Sequence, residues 1–188
     1  MRLFVAINLS RKDQRTIHGS TKGLRECAFP LRWLDDSTYH LTLKFLGSVD
    51  PRRVPQIAAK LDRIAASNAV FPLECRGFGA FPTIRKPRIV WLGVEPSPAL
   101  RCLKQDLEWG LAELGFERET RAFHPHITLA RATDEGAGAF RGLDARVAGL
   151  KHRQRTPVRT VDLMQSHLGA EGPRYTVVHQ SELPQRPA

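Results

Sequence analysis

Tyr39-His40-Leu41-Thr42-Leu43-Lys44-Phe45-Leu46-Gly47 and Phe123-His124-Pro125-His126-Ile127-Thr128-Leu129-Ala130-Arg131 are two versions of one stretch, 86 positions apart. Both alternate polar and apolar residues through His-Leu-Thr-Leu and His-Ile-Thr-Leu, the period of two that marks a half-buried strand. His and Thr at i and i+2 then share one face, and the aliphatic residues point into a core. With 7 His, 11 Thr and 22 Leu in 188 residues, random order gives roughly 0.05 His-x-Thr-Leu strings per chain. One copy would carry little weight. Two copies set an imidazole and a hydroxyl side by side at two equivalent places.

The segments around them read as short strands and helices. An apolar strand covers residues 2–9, and Ser10 caps a helix over about 11–27. Gly47 ends the first His-x-Thr strand. Asp50-Pro51 then starts a helix whose Val54, Ile57, Ala58, Leu61 and Ile64 keep helical spacing to about Ala66. Strands over 70–76 and 88–94 flank a loop from Phe81 to Pro87. After Pro98 comes a helix with Leu100, Leu103, Leu107, Leu111 and Leu114 on one face and Gly115 as its C-terminal cap. The second His-x-Thr strand is followed by a Gly- and Ala-rich loop at 133–142, a short helix at 144–151, and strands at 158–168 and 174–179. Short neighbouring strands with helices on one face predict an α+β fold. The duplicated motif predicts two pseudo-symmetric lobes of antiparallel sheet plus helices, each giving one His-x-Thr strand to a central cleft. Residues 1–188 are expected to form a single domain of two packed lobes, with a frayed tail over 184–188.

A formal charge of +10 and a pI near 10.3 favour a polyanionic partner, nucleic acid before an anionic membrane; the plainer reading is a basic enzyme whose charge tunes solubility. The apolar start is too short for a signal peptide, and no stretch approaches a membrane span. Cys27, Cys75 and Cys102 suit neither a disulfide framework nor a metal knuckle. They read as buried small side chains in a reducing, cytoplasmic protein.

Two imidazoles near neutral pKa, on opposite sides of a phosphorus, supply a general base and a general acid. Thr42 and Thr128 hydroxyls would bind the non-bridging oxygens. By strand parity Lys44 joins His40 and Thr42 on one face and adds positive charge. Arg131, just past the second strand, is placed to contact a phosphate. Neither a metal nor another cofactor is expected: His124 and His126 form an i, i+2 pair, but no third ligand lies near, and Pro125 makes His124 a structural lead-in to the strand. Lys151, Arg153, Arg155 and Arg159 read equally as an RNA-backbone grip or a solvated charge run. Trp33 and Tyr175 could stack on a base, but the default reading is core or rim aromatics, and core is favoured.

The two motifs resemble those of the 2H phosphoesterase superfamily, and within it the RNA 2',3'-cyclic phosphodiesterases, also called the 2'-5' RNA ligase family. The likeness extends to Arg2-Leu3-Phe4-Val5-Ala6-Ile7, to Arg88-Ile89-Val90-Trp91-Leu92-Gly93, and to the pattern from Ser166 and Leu168 through Gly172, Arg174 and Tyr175 to Val177. The resemblance implies two α+β lobes about a pseudo-twofold axis, with His40 and His126 as the catalytic pair and Thr42 and Thr128 as phosphate donors. It implies hydrolysis of an RNA 2',3'-cyclic phosphate to a 2'-phosphate, with His126 as proton acceptor and His40 as proton donor, and reverse 2'-5' ligation as a second capability. The expected partner is RNA with such an end, bound by a monomer without an obligate protein partner or a membrane. Two alternatives stay open: a phosphodiesterase for cyclic nucleotides or 2'-5' oligonucleotides, and a non-catalytic RNA-binding module.

Overall fold

The computed structural model describes residues 1–133, 136, 138–169 and 172–185. Of the tail expected to fray, 186–188 lie outside the described residues, as do 134, 135 and 137 of the Gly- and Ala-rich loop.

The two His-x-Thr stretches are the paired central strands of one antiparallel sheet: β3 (His40–Ser48) and β6 (His126–Ala132) meet at Leu41 and Ile127. Outward from β3 come β1 (Arg2–Asn8), β8 (Thr160–Gly169) and β9 (Gly172–Glu182). Outward from β6 come β5 (Lys86–Val94), β4 (Phe71–Thr83) and β7 (Arg153–Val158). A short strand β2 (Leu31–Trp33) also pairs with β6. Each half of the sheet is thus a His-x-Thr strand followed by three antiparallel neighbours. The expected α+β class and its two-part symmetry are what the chain adopts.

Helices close the other face. α1 (Arg11–Ser20) and α2 (Lys22–Arg25) divide the span expected to be one helix, because the Thr21 hydroxyl and N–H both turn back onto the His18 carbonyl and end the first helix. α3 (Val54–Ser67) buries Ile57, Leu61 and Ile64. α4 (Pro98–Ala112) starts with Ser97 accepting from Leu100 N–H and buries Leu100, Leu103, Leu107 and Leu111 completely. Each such leucine contributes about 1.5–3 kcal/mol of apolar transfer energy, so this stripe alone anchors the helix to the sheet. Gly115, at φ +84°, ends it as expected. α5 (Leu143–Gly149) packs in a second apolar cluster through Leu143 and Val147.

Three further expectations change. The Phe81–Pro87 segment is mostly strand, with Pro82 opposite Pro87 at the hairpin end, where no ladder hydrogen bond needs their missing N–H. Residues 153–158 form β7, an edge strand separated at Arg159 from β8 rather than a bare run of charge. Cys75 is buried, but Cys102 is exposed on α4 and Cys27 is half-buried.

Candidate active site

Both central strands carry a bulge at the same place. In the β1–β3 ladder Val5 faces Lys44 and Ala6 faces Thr42, so Leu43 is the extra residue. In the β5–β6 ladder Val90 faces Ala130 and Trp91 faces Thr128, so Leu129 is the extra residue. A bulge shifts the in–out alternation by one. The burial patterns match residue for residue: His40 and Thr42 half-buried, Leu41, Leu43 and Lys44 buried, Phe45 exposed, against His126 and Thr128, then Ile127, Leu129 and Ala130, then Arg131.

The bulge corrects Lys44. Simple alternation puts this lysine beside His40 and Thr42, but the shifted register turns it to the helix side, where it is 1% exposed. Its Nζ donates to Glu108 Oε2 at 2.6 Å and to the Glu117 carbonyl at 2.7 Å. It cannot reach a ligand in the cleft. The same shift brings Arg131 to the face of His126 and Thr128, inside β6 rather than beyond it.

The Leu41–Ile127 pair fixes how the four polar residues meet. One step to either side, the antiparallel register sets His40 opposite Thr128 and Thr42 opposite His126. Each imidazole is held the same way. His40 Nδ1 lies 2.7 Å from the Thr38 carbonyl, and His126 Nδ1 lies 2.7 Å from the His124 carbonyl. A carbonyl only accepts, so both Nδ1 atoms carry a proton and both neutral rings keep the lone pair on Nε2. His40 Nε2 is 3.1 Å from Thr42 Oγ1; His126 Nε2 makes no such bond to Thr128.

Aromatic rings wall each site. His40 sits between Phe4, 5.1 Å away, and Tyr175, edge-on at 5.0 Å. His126 has Phe81 edge-on at 5.1 Å and Trp91 at 6.3 Å. Gly79 makes room for that indole, since a Cβ there would collide with its six-membered ring. Tyr175 is therefore a wall of the cleft rather than core, whereas Trp33 is partly buried against both apolar clusters. Of these walls, Phe4, Trp91 and Tyr175 lie in segments that carry the family resemblance, but nothing local in the sequence connects them to the histidines. Phe81 reads as loop in the sequence and is strand in the fold.

Burial lowers the pKa of both histidines below the ordinary value, and the hydrogen bonds from Nδ1 to Thr38 and His124 only partly offset it. Both rings are therefore mainly neutral in the free protein at pH 7. A reaction that needs one neutral and one protonated histidine would lose its acid partner as pH rises through these lowered values. The kcat/KM profile, which reports the free enzyme, should be bell-shaped with its maximum on the acid side of pH 6.5, the ordinary value for histidine. A profile flat from about pH 5.5 to about pH 8 would contradict paired histidine chemistry.

A groove of about 720 Å³ starts at His40 and runs over β1, β8 and β9, with Tyr175 on its wall. Among the described residues no group of three or more His, Cys, Asp or Glu is placed to hold a metal ion, and no helix is long and apolar enough to cross a membrane.

Residues 16–170 match the 2'-5' RNA ligase superfamily. The chain belongs to that superfamily. As a member it is an enzyme of the phosphodiesterase class. It is 36% identical over 157 residues to the RNA 2',3'-cyclic phosphodiesterase of Aeropyrum pernix, covering 80% of this chain and 85% of the relative. The enzyme of the same name from Thermotoga maritima is 35% identical over 131 residues, 70% of each chain. Among solved structures, TT0787 of Thermus thermophilus superposes with a TM-score of 0.82 at 29% identity over the whole of both chains. E. coli LigT complexed with 3'-AMP does so with a TM-score of 0.79 at 27% identity over 98% of each.

Proposed function

We propose that this enzyme opens a 2',3'-cyclic phosphate at the 3' end of an RNA by water attack, leaving a 2'-phosphate, with His40 and His126 as its acid–base pair. The observation that carries this reading is the matched pair of Nε2 atoms. Each imidazole is oriented by an Nδ1–H···O=C bond to the residue two positions earlier, and each shares its strand face with the threonine two positions later, on neighbouring antiparallel strands. The names of the superfamily relatives, and the 3'-AMP bound to E. coli LigT, support the substrate class.

In the proposed step His126 Nε2 takes a proton from water as its oxygen bonds to phosphorus. The P–O3' bond breaks on the opposite side, and His40 Nε2–H gives its proton to O3'. In-line displacement sets the leaving oxygen opposite the nucleophile. The groove that can receive the nucleoside begins at His40, which supports His40 as donor and His126 as acceptor. Thr42 and Thr128 hydroxyls donate to the non-bridging oxygens, and Arg131 adds positive charge from the same face. The net charge of +10 favours a polyanion over a small cyclic nucleotide. A 5'-hydroxyl in place of water would give a 2'-5' link, the reverse ligation.

An RNA oligonucleotide ending in a 2',3'-cyclic phosphate, incubated with the protein and EDTA, should be converted to a 2'-phosphate end. Binding without turnover would favour an RNA-binding module. Activity abolished by EDTA would overturn the two-histidine mechanism.

A further inference from the structure

We propose that the groove beside His40 is a nucleobase subsite that selects bases carrying an exocyclic amino group. Its floor is Asp162 on β8, fully buried (0% exposed). One carboxylate oxygen accepts from Asn8 Nδ2 at 2.6 Å and the other from Gln180 Nε2 at 3.0 Å. The three residues sit on adjacent strands, β1, β8 and β9, and all line the groove.

Asp162 thereby orients both amides. An amide that gives its NH₂ to a carboxylate turns its carbonyl oxygen the other way. Asn8 Oδ1 and Gln180 Oε1 receive no hydrogen bond from the described residues. The triad thus offers two acceptors backed by a carboxylate. That arrangement repels phosphate, which is itself only an acceptor when ionised, and attracts a neutral group rich in N–H. Adenine and cytosine show an amino group on their Watson–Crick edges, and guanine shows an amino group next to a ring N–H. Uracil shows one N–H between two carbonyls, whose oxygens would confront the two acceptors. Tyr175 supplies an aromatic wall for a base to lie against. A site built to hydrogen-bond a donor discriminates strongly against an analogue that lacks it, because its own polar groups are then left unpaired.

The inference rests on the proposed reaction only in taking a nucleotide as ligand, so the test is a binding measurement without turnover. Calorimetric titration would compare adenosine, cytidine, guanosine and uridine 3'-monophosphates with purine riboside 3'-monophosphate, which deletes only the amino group of adenosine. Uridine and purine riboside should bind at least about tenfold more weakly than adenosine. Gln180→Ala, at an exposed position, and Asn8→Ala should each reduce the adenosine-to-uridine ratio to less than about threefold. Equal affinities within about twofold in the unaltered protein, a ratio unchanged in both variants, or no binding of any nucleotide would overturn the subsite. Hydrolysis of the cyclic phosphate is scored separately. Selective binding without hydrolysis would sink the reaction and keep the subsite, and hydrolysis with equal affinities would do the reverse.

Discussion

His126→Ala and His40→Ala should each lower kcat on a cyclic-phosphate RNA end by about 10²–10⁴-fold with little change in KM, the size expected for losing one positioned proton-transfer group. The double variant should fall little further, because the two groups act in one concerted step and their losses are not additive. Neither substitution should disturb folding, since each ring lies on the cleft face of its strand rather than in the core. Steady-state rates and thermal melts on the three variants check both statements. Retention of more than about a tenth of the activity in either single variant would exclude that residue from the chemistry.

The same pair of variants decides which histidine is the acid. A cyclic end with sulfur in place of the bridging O3' expels a thiolate, which departs without needing a proton. On that substrate the defect of His40→Ala should shrink by at least about tenfold, while that of His126→Ala should stay, because water must still lose its proton. The opposite pattern would exchange the two roles. The groove would then no longer mark the leaving-group side.

What is legible in the sequence is what depends on short spacing. His40, Thr42, His126 and Thr128 stand out because two positions along a strand return to the same face. The leucines of α4 stand out because three- and four-residue spacing returns to the same side of a helix. Lys44 fails for the complementary reason. Its direction depends on whether Leu43 fits the β1 ladder, and its burial depends on Glu108, which arrives on another element 64 residues later. The bulge at Leu43 turns Lys44 away from the cleft face and the equivalent bulge at Leu129 turns Arg131 onto it, so the same irregularity in each half decides where both charges point. Asn8, Asp162 and Gln180 have no local signature at all, since three strands from opposite ends of the chain assemble them. β7 is legible in principle: Arg153, Arg155 and Pro157 point outward while Gln154, Thr156 and Val158 turn inward. Its charge masks its alternation.

Glu108→Ala should destabilise the fold by about 3–5 kcal/mol, the cost of leaving a buried charge without its partner. For a chain of this size that lowers Tm by roughly 6–20 °C. Glu108 faces two lysines, Lys44 from the bulge of β3 and Lys104 one turn earlier on α4, and also accepts from Glu119 N–H at 3.0 Å. Burial pushes its carboxyl up, but the bonds from Lys104, Lys44 and Glu119 N–H outweigh it and hold the carboxyl below its usual range. Its folded value is the lower one, so its contribution is present above the ordinary carboxylate range and is lost as pH falls through the folded value. Lys104 keeps Glu119 and the Leu43 carbonyl, 2.7 Å from its Nζ, when Glu108 is removed. Lys44 keeps only a carbonyl, so it carries most of the penalty. Lys44→Met combined with Glu108→Gln should therefore recover most of the lost stability, because it removes the stranded charge and leaves an acceptor for Lys104. Urea titrations of the single and double variants measure this directly. If the double variant is no more stable than Glu108→Ala, the network serves to hold the bulge, and Leu43 and His40 should then shift together with it.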